Sequence, residues 1–141
     1  MINNRKISII KILLLIPVFL MTINGCAEKP VKTRTGLEYI DLVKGEGKAA
    51  NWGETVVVNY KGTLADGTEI DNSYTANKPL VFIPGKGTVI KGLEEGVIGM
   101  KVGGKRKITI PPDLGYGPEG AGSRIPGNSF LIFEVQLLEV K

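Results

Sequence analysis

VIKGLEEGVIGM, residues 89–100, is the only stretch of this 141-residue chain whose apolar side chains recur at helical spacing. Leu93, Val97 and Met100 form an i, i+4, i+7 row, which predicts one short helix with a single buried face. Its glycines lower its intrinsic propensity, so packing against a sheet must hold it. On either side the pattern turns strand-like. Residues 105–110 (KRKITI) alternate until Pro111-Pro112 stops them, and residues 37–43 (LEYIDLV) run into the turn signal Lys44-Gly45-Glu46-Gly47. Residues 55–60 (TVVVNY) are β-branched and aromatic, with Val56, Val58 and Tyr60 on one face by period two. Asp66-Gly67 marks a hairpin. Residues 130–140 (FLIFEVQLLEV) make the longest strand, with Leu131, Phe133, Val135 and Leu137 sharing a face. Antiparallel strands around one short helix predict an α+β architecture.

The length gives room for one domain, and 43% hydrophobic with 23% charged residues is an ordinary globular balance. Three of the 18 basic side chains, Arg5, Lys6 and Lys11, stand in the first 25 residues, where there is no acid. The remaining 15 nearly balance the 14 acidic ones. A body of interspersed charges lacks the concentrated cationic face that nucleic acid requires, so no nucleic-acid partner is expected. The chain has no histidine and one cysteine, which excludes Cys/His zinc sites, internal disulfides and every Ser-His or Cys-His nucleophile. Around Gly85-Lys86-Gly87-Thr88 the four-residue gap of a phosphate-binding loop is missing.

The first 26 residues read as an address. A cationic start precedes an apolar run from Ile12 to Met21, shorter than the roughly 20 residues a membrane span needs and suited to a signal peptide. Ile23-Asn24-Gly25-Cys26 resembles a bacterial lipobox, in which the cysteine is lipidated and becomes the first mature residue. The expected organisation is a signal peptide at 1–25, a lipidated Cys26 with a polar tether to residue 35, and a folded domain at 36–141. The protein is then expected outside the cytoplasm, lipid-anchored to the cell membrane or the outer membrane. A nine-residue tether reaches roughly 30 Å, so the domain works close to that surface.

VVVNYKGTLADGTEIDNSY (56–74), PLVFIPGKGTVIKGLEEGVIGMKVGGKRKITIPPDLGYG (79–117) and IPGNSFLIFEVQLLEV (125–140) together resemble the FKBP-type peptidyl-prolyl cis-trans isomerases. The resemblance covers nearly the whole of the expected mature domain. It implies a half-barrel of about five antiparallel strands wrapped around one short helix, with a binding pocket between helix and sheet. Carried over position by position, it assigns catalytic roles to Asp71, Tyr116 and Tyr60 and substrate-binding roles to Ile70, Leu80, Val89, Ile90, Leu93, Ile125 and Phe133. Residues 117–127 are a flap over the pocket in this family. The implied partners are proline-containing polypeptides and the macrolides tacrolimus and rapamycin. Macrolide affinity is expected to be weakened, because Ile70, Leu80 and Leu93 stand where the family usually has aromatic rings.

The implied reaction is rotation about an Xaa-Pro amide, whose barrier of about 18–20 kcal/mol reflects lost resonance. No bond breaks, so neither nucleophile, metal nor cofactor is needed. A dry apolar pocket disfavours the charge-separated planar amide more than the twisted one, which is differential binding of the transition state. By the resemblance, the Tyr116 hydroxyl and the Ile90 N–H position substrate carbonyls, while Asp71, oriented by Tyr60, faces the twisting amide. Blander readings stand beside these. Phe133, Val89 and Leu93 suit any core of this pattern, Asp71-Asn72-Ser73 suits a turn, and residues 117–127 suit a flexible loop. A non-catalytic peptide-binding or holdase module using the same groove is the alternative function, and an inert spacer lipoprotein a third.

Overall fold

The computed structural model describes residues 28–141. Its elements run β1 (Val31–Lys32), β2 (Glu38–Val43), β3 (Val56–Leu64), β4 (Glu69–Asn72), β5 (Leu80–Phe82), α1 (Lys91–Val97), β6 (Lys105–Ile110), a 3-10 turn (Pro112–Leu114) and β7 (Leu131–Val140). All strands pair antiparallel in the order β1-β2-β6-β7-β3-β4, and β5 pairs with β3 beside β4. The nine-residue β3 therefore carries β7 on one side, while β5 and β4 divide its other side. Register shifts between Val57 and Val58, Gly62 and Thr63, and Asp41 and Val43 are the kind of irregularity that bends a sheet. The sheet stays open rather than closing into a barrel.

The period-two faces are the core. Val56, Val58, Leu131, Val135 and Leu137 are essentially inaccessible, as are Ile108 and Ile110 of β6. The helix lies on β6, and its glycines explain how. A Cβ on Gly92 would sit 2.4 Å from Ile110 Cγ2, and one on Gly96 would sit 2.5 Å from Ile108 Cδ1. The residues that weaken the helix as an isolated segment are those that let it approach the sheet. Leu93, Val97 and Met100 are buried as their spacing predicts.

Several features differ from expectation, among them β3, which runs on from the expected 55–60 to Leu64. The helix occupies only residues 91–97 of the predicted 89–100, because Ile90 and Ile98 are extended and Gly99 has φ +80°. The half-barrel of about five strands has two further short ones, β1 and β5, which are strands by pairing rather than by pattern. The tether expected to end at residue 35 contains β1, where Val31 pairs with Tyr39 and Lys32 with Glu38. Thr35 Oγ1 also donates to the Glu95 carboxylate at 2.7 Å, so the fold begins before residue 36. The signal segment and Cys26 lie outside the described residues.

Candidate active site

Tyr60 on β3, Ile70 and Asp71 on β4, Leu80 on β5, Leu93 on α1 and Phe133 on β7 are carried by five different elements. The hydrophobic core brings Ile70, Leu93, Ile125 and Phe133 together, with Tyr60, Leu80, Val89 and Ile90 packed against it. The first four are each less than a tenth exposed. The next four are half-buried, and Asp71 and Tyr116 are exposed at the rim.

The Tyr60 hydroxyl donates to Asp71 Oδ2, and Asp71 Oδ1 accepts the Asn72 N–H at 2.8 Å. Both carboxylate oxygens are thus held, which fixes the orientation of the group. Burial, then the Asp71 carboxylate and the Tyr116 phenol, push the Tyr60 hydroxyl above its ordinary value, so it stays a donor through neutral pH. Tyr116 is 41% exposed and bonds through its side chain to no other described residue. The Tyr60 ring lies 5.7 Å from that of Phe133, tilted by 35°.

A raised phenol value in the folded state means that stability is fully present below about pH 10, where an unfolded tyrosine begins to ionise, and is lost as pH rises beyond it. Tyrosinate absorbance on alkaline titration should accordingly lag behind that of the urea-unfolded chain. The denaturation midpoint should fall over the same range. Coincident absorbance curves would contradict the Tyr60–Asp71 arrangement.

Sequence reasoning missed three supports. Gly62 is one: a Cβ there would lie 2.9 Å from Phe133 Cε1 and 3.3 Å from Ile70 Cγ1, so both side chains lean on bare backbone. A glycine amid a β-branched strand was the available signal. Ser73 is the second, buried, accepting the Tyr60 N–H at 2.8 Å and donating to Asn59 Oδ1 at 2.9 Å. It pins the backbone that carries the Tyr60 ring. Asn72 meanwhile acts as the turn former, its Oδ1 accepting the Tyr74 N–H, so the turn reading and the site reading of this segment both describe it. Third, buried Glu94 accepts the Gly87 N–H at 2.8 Å, tying the loop that delivers Val89 and Ile90 to the helix. No sequence pattern announces that contact.

The Ile90 N–H bonds to no other described residue, while its carbonyl accepts from Leu93 and Glu94. It is an unpaired donor on a residue that packs against the hydrophobic core. Residues 117–127 are an ordered loop. Ala121 and Ile125 exchange two backbone bonds of 2.9 and 3.1 Å, the Asn128 N–H closes on Gly117 O, and Arg124 reaches Glu69 O at 3.4 Å. Gly120 and Gly127 have no room for a Cβ, each position lying within about 2 Å of a backbone oxygen.

A family described as FKBP-type peptidyl-prolyl cis-trans isomerase matches residues 46–138. The chain is 53% identical over 116 residues to the FKBP-type peptidyl-prolyl cis-trans isomerase FkpA of Escherichia coli K12, covering 81% of this chain and 42% of that protein. It is 51% identical over 105 residues to the FK506-binding protein of Neisseria meningitidis serogroup B, covering 74% and 96% respectively. The crystal structure of Escherichia coli FkpA superposes with a TM-score of 0.74 at 50% identity, over 81% of this chain and 53% of that one. The crystal structure of AtFKBP13 gives 0.75 at 36% identity, over 81% of this chain and all of that one. The chain thus spans less than half of the FkpA relative and nearly the whole of the Neisseria protein.

Proposed function

The chain belongs to the FKBP-type peptidyl-prolyl cis-trans isomerase family, and on that premise we propose that its cleft accelerates rotation of Xaa-Pro bonds in proline-containing polypeptides. The proline ring enters over Leu93, Phe133 and Ile70, where water is excluded. There the planar amide loses the solvation that stabilises its charge separation, and the twisted amide loses less. The Ile90 N–H holds one substrate carbonyl and the Tyr116 hydroxyl another. Asp71, fixed by Tyr60 and the Asn72 amide, presents a stationary negative group toward the rotating bond. A fixed dipole needs no reorganisation as charge shifts during rotation. The observation that carries this reading is the free N–H of Ile90, a residue packed against the same buried core that holds Leu93, Phe133 and Ile70.

The same reading places the protein outside the cytoplasm, with Cys26 lipidated and the membrane as its second partner. The cationic, apolar and lipobox-like segments at residues 1–26 support it. Two acyl chains on Cys26 suffice for stable anchoring where one is marginal. The clients are then exported polypeptides, whose Xaa-Pro bonds otherwise isomerise over tens to hundreds of seconds.

A macrolide of the kind for which the Neisseria relative is named occupies the same cleft, more weakly than in relatives with aromatic walls. A proline tetrapeptide assay on the full chain in mild detergent tests the proposal. Isomerisation above the uncatalysed rate, suppressed by tacrolimus, is the expected result; an uncatalysed rate would leave only a binding module. Leu93→Trp should tighten tacrolimus by about tenfold, the worth of one aromatic contact, and equal or weaker affinity by calorimetry would refute the floor assignment.

A further inference from the structure

Leu80 and Phe82 turn toward the core, while Val81 between them is 59% exposed. Outside β5, Thr55, Val81, Phe82, Ile83, Lys86 and Thr88 line an open groove of about 340 Å³. Both of its walls continue in sequence into cleft walls, β5 through Leu80 and the loop through Thr88 to Val89 and Ile90. β5 pairs only with β3, and among the described residues no backbone group of Leu80–Phe82 bonds to anything beyond that partner. The strip is an unpaired strand edge with an apolar side chain raised beside it. Trp52, the only tryptophan and 56% exposed, stands at its end, ring carbon Cε3 lying 3.6 Å from where a Gly85 Cβ would be.

We infer that this strip docks an extended apolar segment of the same polypeptide whose proline occupies the cleft. The inference rests on the isomerase reading of the cleft and adds where the rest of the client lies. A free edge offers main-chain hydrogen bonds to any extended chain, and apolar side chains beside it select what that chain carries. Continuity with the cleft walls makes the client itself the occupant. At about 3.3 Å per extended residue, a chain leaving the cleft past Leu80 needs few residues to reach Val81. A proline tetrapeptide fills the cleft and stops short of the strip, whereas an unfolded protein engages both. Lys86 on the groove wall favours segments in which apolar residues are flanked by acidic ones.

The test uses the full chain in mild detergent with two probes, a proline tetrapeptide and reduced, carbamidomethylated ribonuclease A, which is unfolded and has no tryptophan. Val81→Lys places a charge on an exposed edge position that tolerates lysine. It should weaken binding of the unfolded chain about tenfold, the worth of one valine-sized apolar contact, and leave tetrapeptide turnover unchanged. Val81→Ile should bind the unfolded chain as the unsubstituted protein does. Trp52 emission should shift with ribonuclease A and remain still with the tetrapeptide. Equal affinities for Val81→Lys and the unsubstituted protein, or equal losses on both probes, would overturn the inference. If tetrapeptide turnover is absent throughout while the Val81 dependence persists, the isomerase reading fails and the strip stands.

Discussion

Arg106→Leu is expected to lower the unfolding free energy by up to about 3–5 kcal/mol, the cost of removing the buried member of an ion pair whose other member, Asp41, is partly exposed. Arg106 is 5% exposed and joins three elements. From β6, Nε and Nη2 grip the Asp41 carboxylate of β2 at 2.6 and 3.1 Å. Nη1 donates to Gly96 O and Ile98 O, both at 3.0 Å, at the C-terminal end of α1. The helix has no basic residue in its own last turn, so a cation from the sheet caps its carbonyls instead. The Tyr39 ring covers the guanidinium at 4.0 Å. Leucine leaves the Asp41 carboxylate and two carbonyls without their donor at once. Arg106→Lys keeps the charge but not the fork, and should fall between the two. Lys107→Ala, one residue along on the outer face, should change stability by no more than about 0.5 kcal/mol. Adding Asp41→Leu to Arg106→Leu should recover part of the loss, because the stranded carboxylate disappears while the two carbonyls remain. Urea midpoints decide the matter. A loss under about 1 kcal/mol for Arg106→Leu would show that water reaches these groups freely.

Arg106 also shows what was legible and what was not. KRKITI reads as an alternating strand, and 106, 108 and 110 share a parity, so the pattern already puts one cation on the face of two buried isoleucines. What it reaches there is set by the register of β2 and the end of α1, which are 65 and 10 residues away. Local patterning decides strands such as β3 and β7 because one face of each is buried along its length. The hairpin at Asp66-Gly67 is local too. Asp66 Oδ1 accepts the Thr68 N–H at 2.9 Å and Gly67 takes φ +90°. β5 escapes such reading because the four residues between Pro79 and Pro84 are too few to show a period, and β3 alone makes Leu80–Phe82 a strand. β1 escapes for the same reason. Tyr60, Asp71 and Phe133 are reached through the family resemblance and stand together in the structure. Gly62, Ser73 and Glu94 act through what they touch across the chain. Their identities become meaningful only once the partners are placed.

Phe133→Ala is the second large effect expected, about 3–5 kcal/mol in stability, because the ring is 5% exposed and its removal opens a cavity. Gly62 gives this prediction its specificity. Gly62→Ala alone should cost about 1–3 kcal/mol, since the new Cβ would lie 2.9 and 3.0 Å from Phe133 Cε1 and Cζ. In the Phe133→Ala background those collisions vanish and the methyl partly fills the void. The double variant should therefore be more stable than the sum of the single effects allows, with a coupling of about 0.5–3 kcal/mol. A third substitution separates core from cleft. Phe133→Leu keeps most of the packing but loses the ring that faces Tyr60 at 5.7 Å. If Phe133 walls the substrate cleft, kcat/KM on a proline tetrapeptide should fall about tenfold at nearly native stability, the worth of an aromatic contact. Unchanged kcat/KM for Phe133→Leu would reduce Phe133 to a core residue and move the proline ring elsewhere.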